Sequence, residues 1–369
     1  MQCPERRLES IEEYLHNFAI KSERLRIPLS GSLELTHCCN LQCVHCYLGR
    51  QSLKRTRRAE EIGTKRILAL LDEIAEAGCL YILFTGGEPF LREDFPEIYR
   101  HAKENGLLVT VFSNGTLVNN NLVELFSELP PVEVEISLYG ASASVYEQIT
   151  LVPGSFERCL NGIKRLKESS INVNIKTVLM TMNEHEFHAI EDISKEYGIG
   201  FRFDAAISPC IDGGKTPLDL RVSPKDAIDK EFSDPGRRLG WQEYFKKNTD
   251  NYLGDALYGC GAGITGFHVD PYGYLYPCMM TLDIRHNLLL DSFLTGWNDI
   301  ISNIRDRKTA ADFACRKCDK INLCGYCPAF FRMETGFEEA RSEYLCTMGG
   351  LRFEKLMSSC SKGGSDDGD

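Results

Sequence analysis

Short apolar segments alternate with amphipathic segments along the chain from residue 31 onward. The apolar segments predict six strands, and the segments with helical periodicity between them predict five helices. The strands are predicted at 33–36, 80–84, 107–112, 132–138, 173–179 and 199–203, and the helices at 67–75, 95–102, 122–129, 156–167 and 186–197. A repeating βα unit implies a parallel sheet with right-handed crossovers. Six units are fewer than the eight of a closed barrel, so the α/β fold predicted is an open, partial (β/α)6 TIM-like barrel, with its chemistry at the carboxyl ends of the strands.

Three local features refine this prediction. Gly78 is expected to be the C-cap of the first helix. The strand at 80–84 is wholly apolar, which predicts burial on both faces. Ser155 is a predicted N-cap of the helix that follows it.

Proline and glycine residues interrupt the repeat after residue 206 and divide the chain into predicted segments. The connecting segment is expected to hold one or two short helices, one of them at 241–247, and an amphipathic stretch at 11–20 lies near the start of the chain. The Gly-, Ser- and Asp-rich end is predicted to be disordered. The segments are an N-terminal extension (1–28), a core (29–206), a connecting region (207–255), a small Cys-rich domain (256–350) and a C-terminal tail (351–369).

Composition excludes several classes of function. The 369 residues include 42 basic and 53 acidic side chains, a net charge of −11 that argues against nucleic acid as a partner. No apolar run is long enough to span a membrane, and the first residues do not resemble a signal peptide. We therefore expect a cytoplasmic protein without a membrane partner.

The 16 cysteines change this picture most. A reducing compartment keeps thiols reduced, so cysteines clustered in one chain indicate metal binding or redox chemistry. Cys39, Cys43 and Cys46 lie in one short loop after the first strand, whereas Cys38 is out of register and is expected to be a packed thiol. Three thiolates on a four-iron cube would leave one iron open to a small molecule. A zinc site, which normally takes four protein ligands, is the alternative.

The C-x3-C-x2-C spacing after the first strand of a (β/α) barrel resembles the signature of the radical S-adenosylmethionine (SAM) enzymes. The resemblance implies a [4Fe–4S] cluster whose open iron binds SAM, and reductive cleavage of SAM to a 5′-deoxyadenosyl radical that removes a hydrogen atom from a substrate. Gly86, Gly87, Glu88 and Pro89 end the second strand and resemble the GGEP element that binds the amino group of SAM. Physically, two glycines let the backbone approach a ligand, and a carboxylate suits an ammonium group.

The resemblance covers residues 31 to 206 and implies further contacts with SAM. Met180 could lie near the adenine, although an apolar strand residue is more often core. The Asn114-Gly115 pair taken alone indicates only a turn. The further expected SAM-binding residues are His45, Tyr47, Ser113, Asn114 and Ser137.

A second cysteine group follows residue 255 and resembles the SPASM extension of radical SAM enzymes, which binds two auxiliary [4Fe–4S] clusters. The spacing between Cys324 and Cys327 is one residue shorter than in the usual pattern. By position, the outer cluster takes Cys315, Cys318, Cys324 and Cys346, and the inner cluster takes Cys260, Cys278 and Cys327. The inner set is one ligand short: Cys210 or another thiol completes it, an iron stays open for substrate, or the cluster is different. A zinc-ribbon-like module is the alternative for the whole group.

The resemblance implies a peptide- or protein-modifying maturase, performing cross-linking, epimerisation or side-chain oxidation, with reduced flavodoxin or ferredoxin as electron donor. Only about thirty residues precede the first strand, so we expect a peptide substrate to need a separate leader-binding partner or direct recognition by the barrel. Met279 follows Cys278, whereas in sulfatase maturases an Asp that serves as the base stands at this position. This difference argues against sulfatase maturation. The alternatives are a radical SAM/SPASM enzyme for a small molecule, such as a haem precursor or an aminoglycoside, and a non-catalytic zinc scaffold.

No catalytic side chain is assigned from the sequence. Seven residues are candidates for substrate contacts, although each residue type is more often found at the surface or in packing: Asp204, Asp212, Asp219, His268, Asp270, Tyr272 and Tyr276. A basic run after the first cysteine loop is usually a solvated face, but could dock an acidic peptide or an electron donor. It comprises Arg50, Lys54, Arg55, Arg57 and Arg58.

Overall fold

Alternate side chains of the first strand, β1 (Ser30–Thr36), face opposite sides of a sheet. Leu33 and Leu35 are buried in the main hydrophobic core. Ser32 and Glu34 point the other way and make hydrogen bonds with histidine side chains. The sequence pattern of β1 therefore separates an apolar layer from a polar interior.

The computed structural model describes residues 10–49, 55–248 and 254–360. Several predicted features lie outside the described residues: positions 1–9 of the N-terminal extension, positions 361–369 of the C-terminal tail, and Arg50 and Lys54 of the basic run. No described helix is long and apolar enough to cross a membrane.

In the described residues, six helices separate β1 and the next five strands, and five of these helices lie in the predicted positions. The strands are β2 (Tyr81–Gly86), β3 (Leu108–Ser113), β4 (Glu133–Ser137), β5 (Val173–Val178) and β6 (Gly200–Asp204). A helix α1 (Ile11–Leu25) precedes β1, and the helices between the strands are α2 (Thr64–Glu76), α3 (Phe95–Glu104), α4 (Asn120–Glu128), α5 (Ala143–Thr150), α6 (Ser155–Glu168) and α7 (Phe187–Tyr197). Of these, α5 was not predicted.

The later part of the chain adds short strands and helices. The strands are β7 (Gly266–Val269), β8 (Tyr274–Tyr276) and β9 (His286–Asn287). The helices are α8 (Pro224–Ser233), α9 (Pro235–Lys247), α10 (Phe293–Thr295), α11 (Pro328–Thr335) and α12 (Glu343–Cys360). Helices α8 and α9 are the two allowed for in the connecting region.

The nine strands of the described residues form one sheet in the order β6-β5-β4-β3-β2-β1-β7-β8-β9. Neighbouring strands from β6 to β1 pair in parallel, which confirms the predicted parallel core. Strand β7 also pairs in parallel with β1, from Ser30 opposite Gly266 to Leu33 opposite Val269. The Cys-rich part of the chain thus contributes a seventh parallel strand. This strand was not predicted from the sequence, because four residues are too few to show a clear pattern.

Three local predictions were wrong in detail. Tyr81 is 47% exposed while Ile82 and Phe84 are buried, so β2 is covered on one face and not on both. The C-cap of α2 is Ala77, and Gly78 follows it with a φ of 94°. The N-cap of α6 is Gly154, because the Ser155 hydroxyl is buried in a 2.8 Å hydrogen bond with the Thr150 hydroxyl.

Phe267 on β7 fixes the joint between the barrel strands and the later region. Its ring is buried and packs against Phe293 and Trp297, with ring centroids 4.9 Å and 6.2 Å away. A Cβ added at Gly31 on β1 would lie 2.1 Å from this ring, so the two strands meet without a gap.

Replacing Phe267 with alanine should lower the free energy of unfolding by about 3–5 kcal/mol, because it opens a cavity at the β1–β7 joint. Urea unfolding of the variant and the wild type measures this loss. Phe337→Ala is the control: the side chain is 73% exposed, and its removal should change stability by less than about 0.5 kcal/mol. Equal effects of the two substitutions would contradict the packing described for Phe267.

Candidate functional site

The loop with the first three cysteines lies at the carboxyl end of β1 and rests on the end of α5. Two backbone hydrogen bonds hold it there, from the Gln42 N–H to the Thr150 carbonyl (2.9 Å) and from the Val44 N–H to the Ile149 carbonyl (3.0 Å). The helix that sequence reasoning missed therefore supports the loop that it singled out.

Cys39, Cys43 and Cys46 lie close enough to influence one another's ionisation. Burial, followed by the charge of Glu88, raises the pKa of Cys39 to about 12, and Cys46 adds to the effect. Burial also raises the pKa of Cys43 well above its ordinary value, reinforced by the charges of Cys39 and Cys46. These three thiols therefore form one group, and binding a cation would release their protons.

The donor set and its surroundings fit an iron–sulfur cluster. The Leu41 N–H donates to Cys39 Sγ at 3.4 Å and the Asn114 amide donates to the same sulfur at 3.8 Å, which are contacts that tune cluster thiolates. Among residues 10–49, 55–248 and 254–360, no three His, Cys, Asp or Glu side chains converge as ligands of a single metal ion. Ligands of a cluster bind different irons and are farther apart than ligands that share one ion.

Gly86 and Gly87 bring the end of β2 against the start of the cysteine loop. A Cβ on Gly87 would lie 2.1 Å from the Cys38 carbonyl oxygen, and one on Gly86, which has a φ of 129°, would lie 2.2 Å from the Thr36 carbonyl oxygen. The Gly87 N–H donates to Thr36 at 2.7 Å and the Glu88 N–H to Cys38 at 2.8 Å. In this structure the two glycines thus permit approach between two backbone segments, rather than only the approach of a ligand.

Glu88 is fully buried beside this crossing, followed by the buried Pro89. Its carboxylate accepts the Ser113 hydroxyl at 2.9 Å and the Asn114 N–H at 2.8 Å. Burial raises the pKa of Glu88 to about 7, although these hydrogen bonds favour the ionised form. Glu88 therefore joins the carboxyl ends of β2 and β3, which brings together three of the residues that the sequence associated with SAM.

Asn114 links this group to the cysteine loop. Its amide nitrogen donates to the Asn40 side chain at 2.9 Å as well as to Cys39, and its amide oxygen accepts the Thr116 N–H at 2.9 Å. Asn40 and Thr116 are not among the residues that the sequence predicted to bind SAM. The turn and the site are thus the same feature.

The remaining predicted SAM contacts divide between two places. His45 is buried with its ring edge against Tyr139, 4.5 Å between centroids, and burial lowers its pKa to about 4. Tyr139 hydrogen-bonds to the buried Ser137, and burial, followed by the charge of Cys43, raises the pKa of Tyr139. Tyr47 faces the opposite side of the loop, where its hydroxyl donates to Glu34.

Tyr139 and Lys176 are interior residues that sequence reasoning missed. Burial lowers the pKa of Lys176 to about 7, its ammonium lies 3.0 Å from the centroid of the Phe112 ring, and Glu135 is 3.9 Å away. The sequence did contain a signal for Lys176. Val173 and Ile175 are core residues, so the alternation of side chains along β5 places Lys176 on the opposite face, toward the barrel interior.

The second cysteine group separates into two sets. Burial raises the pKa of Cys324 to about 12, and the charges of Cys315, Cys318 and Cys346 add to this rise. These are the four thiols that the sequence assigned to an outer cluster.

The other set has three thiols. Burial raises the pKa of Cys327 to about 11, with the charges of Cys278 and Cys260 adding to the rise, and the Phe330 N–H donates to Cys327 Sγ at 3.4 Å. Cys210 is elsewhere: its thiol donates to the Cys46 carbonyl at 3.5 Å and lies beside the first cysteine loop. The structure thus gives no support to Cys210 as the fourth member of this set.

A cavity of about 420 Å³ opens beside the first cysteine loop. Residues of the cysteine loop line one side, and residues after β6 line the other: Cys43, Val44, Cys46, Gly49, Cys210, Asp212, Gly214, Thr216 and Pro217. Met180, a possible adenine neighbour, is fully buried in a cluster of apolar side chains.

The seven candidates for substrate contacts do not form one site. Asp204 accepts the Ala206 N–H at 2.7 Å, Asp212 lines the cavity beside Cys210, and Asp219 lies in a 3-10 helix, Thr216–Leu220. The other four lie together around the carboxyl end of β7: His268, Asp270, Tyr272 and Tyr276.

Two described arginines of the basic run have local partners. Arg57 stacks over the Tyr272 ring at 4.2 Å, and Arg58 donates to the Leu91 carbonyl at 3.1 Å. A docking role for this basic run stays a prediction.

Cys38, which was expected to be a packed thiol, is buried.

Known proteins resemble most of this chain. An AdoMet-dependent heme synthase of Methanosarcina barkeri is 27% identical over 328 residues, which cover 82% of this chain and 92% of that protein. The mycofactocin maturase MftC of Mycobacterium tuberculosis is 28% identical over 319 residues, covering 83% of this chain and 79% of that protein.

The fold is also that of a solved structure. SuiB of Streptococcus suis, bound to its precursor peptide SuiA, superposes with a TM-score of 0.65 at 17% identity, covering 94% of this chain and 83% of that one. The partial TIM-type barrel predicted from the sequence is therefore confirmed. Residues 33–196 match the Radical SAM superfamily, whose members use a [4Fe–4S] cluster and SAM. Residues 33–196 therefore form a radical SAM domain, and the similar proteins indicate an enzyme of the radical SAM class.

Proposed function

We propose that Cys39, Cys43 and Cys46 bind the [4Fe–4S] cluster and that the group around Glu88 binds SAM. The single observation that carries this proposal is the backbone crossing of Gly87 and Glu88 over Thr36 and Cys38, which fixes both groups in one rigid unit. The SAM-binding residues that we propose are His45, Tyr47, Gly86, Gly87, Glu88, Pro89, Ser113, Asn114 and Ser137.

The cluster and SAM, when bound, supply a 5′-deoxyadenosyl radical that removes a hydrogen atom from the substrate. The chain's own residues hold this reaction in place. The Asn114 amide and the Leu41 N–H donate to Cys39 Sγ and stabilise its thiolate form. The partly buried Tyr139 ring packs edge-on against the buried His45 ring of the loop and fixes its position.

Two auxiliary [4Fe–4S] clusters are proposed in the segment 256–350. The four-thiol set around Cys324 supports the outer cluster, and the three-thiol set around Cys327 supports the inner one. The segment boundaries given from the sequence are part of this proposal. Clusters and free thiols both suit a reducing compartment, so we also propose a cytoplasmic enzyme reduced by flavodoxin or ferredoxin.

The proposed substrate is a ribosomally made peptide or protein, held with or without a separate leader-binding partner. The mycofactocin maturase is similar over most of both chains, and SuiB, which shares the fold, has a precursor peptide in its structure. The proposed reaction is a cross-link, an epimerisation or a side-chain oxidation.

A small-molecule substrate is the second candidate, because one specific observation favours it. The heme synthase of Methanosarcina barkeri is about as similar to this chain as the maturase is, and the alignment covers 92% of that protein. A haem precursor is therefore the small molecule to test.

Anaerobically reconstituted wild-type protein should hold about twelve irons, from three four-iron clusters, and should form 5′-deoxyadenosine from SAM under a strong reductant. The triple variant Cys39→Ala, Cys43→Ala, Cys46→Ala should hold about eight irons and form none, because the SAM-binding cluster is lost. Iron and sulfide analysis with chromatography of the nucleoside product measures both.

Cys38→Ala is the matched control for the triple variant, since its thiol is buried next to the loop and is not a proposed ligand. It should retain about twelve irons and the cleavage of SAM. Zinc in place of iron would overturn the proposed function in favour of a zinc scaffold. Intact SAM with fully iron-loaded and reduced wild-type protein would overturn the proposed cleavage of SAM.

Gly87→Ala should lower the iron content by about four per chain and abolish SAM cleavage, because its Cβ would lie 2.1 Å from the Cys38 carbonyl oxygen and displace the cysteine loop. Gly63→Ala is the control, since nothing lies within 4 Å of its Cβ position and its φ is −76°. A fully loaded Gly87→Ala enzyme would show that the close approach is not required for cluster binding.

The substrate classes can be separated by product analysis. We expect a peptide encoded beside the gene, co-expressed with the enzyme, to change in mass by the proposed modification, whereas the triple cysteine variant leaves it unchanged. The haem precursor Fe-coproporphyrin III, incubated with reduced enzyme and SAM, should remain unchanged. Conversion of the porphyrin with no change in the peptide would favour the small-molecule function.

A further inference from the structure

Three charged side chains lie on the interior face of adjacent strands near one edge of the sheet. Glu135 is on β4, Lys176 on β5 and Arg202 on the edge strand β6. Val134 and Ile175, which precede Glu135 and Lys176, are core residues, so the charged side chains face the barrel interior. Lys176 and Arg202 are directly opposite each other in the register of β5 and β6. This part of the interior therefore holds two cations beside one carboxylate.

Arg202 uses that carboxylate. Its Nε donates to Glu135 at 2.7 Å, and a second N–H of the guanidinium donates to the other carboxylate oxygen. Lys176 Nζ lies 3.9 Å from Glu135 Oε2, which is beyond hydrogen-bond distance. Arg202 and Glu135 thus form a bidentate pair, and Lys176 is the cation left over.

Lys176 has donors to spare. A lysine ammonium has three N–H groups, and among the described residues no hydrogen bond engages its Nζ. The Phe112 ring covers one side of the ammonium, with 3.0 Å between Nζ and the ring centroid. The Lys176 side chain is nevertheless 20% exposed, so a ligand can reach it. An acceptor that enters the barrel would therefore find a cation with no competing hydrogen bond.

The other carboxylates that act on Lys176 have partners of their own. Glu133 accepts the Asn174 amide at 2.5 Å, and Glu88 holds the group at the ends of β2 and β3. Burial lowers the pKa of Lys176 to about 7, although the charges of Glu135, Glu88 and Glu133 oppose this shift. An anion in direct contact with the ammonium would favour its charged form.

The position of Lys176 favours substrate over SAM as the source of this anion. The proposed SAM-binding residues follow β1, β2, β3 and β4, and Ser137 is the last of them. Lys176 is opposite Ser137 in the sheet but lies on β5, and neither β5 nor β6 carries a proposed SAM-binding residue. Arg202 is 52% exposed on the edge strand, so this side of the barrel is open. A substrate that enters over β6 would meet Lys176 before it reaches Ser137.

We propose that Lys176 is the centre of a substrate subsite that binds a carboxylate, with Arg202 at its open side. This rests on the proposed function and names the group by which the substrate is held. Both candidate substrate classes can supply it, a peptide through an acidic side chain or its C-terminus and a haem precursor through a propionate.

Crystals of the anaerobically reconstituted enzyme, soaked with propionate or with its uncharged analogue propionamide, test the subsite with and without SAM. Propionate should place a carboxylate oxygen within hydrogen-bond distance of Lys176 Nζ in both cases, and propionamide should not bind there. A SAM carboxylate on Lys176 that excludes propionate would overturn the assignment to substrate. Propionate absent from Lys176, or both probes bound there equally, would overturn the carboxylate subsite.

Lys176→Met keeps the length of the side chain and removes its charge. It should raise the propionate concentration needed for half occupancy by at least about tenfold. Lys164→Met is the matched control, since Lys164 Nζ is also 3.9 Å from a carboxylate oxygen, that of Glu168, but its side chain is 59% exposed on α6. Unchanged occupancy in Lys176→Met, or equal propionate binding at Lys164 in the wild type, would refute a specific role for Lys176.

Cleavage of SAM without substrate, measured on the same wild-type preparation, separates the two proposals. Propionate bound at Lys176 without any cleavage would refute the proposed function and leave an anion site. Cleavage of SAM with no propionate at Lys176 would refute the subsite alone.

Discussion

The backbone crossing between β2 and the cysteine loop is the constraint on which the rest of the site depends. Gly87 and Glu88 donate to the carbonyls of Thr36 and Cys38, at a distance that no side chain on Gly87 would allow. Because two parallel strands end at this crossing, a shift of either one would move both the thiols and Glu88. The site therefore derives its rigidity from main-chain contacts, which are insensitive to side-chain identity except at the two glycines.

A second consequence of the parallel sheet is its polar interior. One face of each strand packs on helices, so the charged residues on the other face must find partners within the barrel. Glu34 does so through two histidines and a tyrosine, and Lys176 through Glu135 and an aromatic ring. The histidines thus hold the pKa of Glu34 well below its ordinary range, whereas burial lowers the pKa of Lys176 to about 7.

Sequence alone predicted the six parallel strands, the cysteine loop and the glycine pair, because each is encoded locally by periodicity or spacing. It missed β7, α5 and the partners of Glu34, because these depend on contacts between distant segments. Ser32 and His268 are 236 positions apart, and neither residue type in isolation indicates a contact with the other. Likewise, serine is a residue type favoured at helix N-caps, but the hydroxyl of Ser155 forms a hydrogen bond with Thr150 instead.

The short spacing between Cys324 and Cys327 is compatible with two separate thiol sets because the backbone reverses between them. Cys324 follows a 3-10 helix, Ile321–Leu323, Gly325 has a φ of 69°, and Cys327 is the N-cap of α11. Adjacent turns thus direct the two sulfurs to different partners despite the missing residue. The three-thiol set, in contrast, cannot gain Cys210 without breaking its contact with the first cysteine loop. With Cys210 held elsewhere, the proposed inner cluster would take another thiol, keep an iron open for substrate, or be a different cluster.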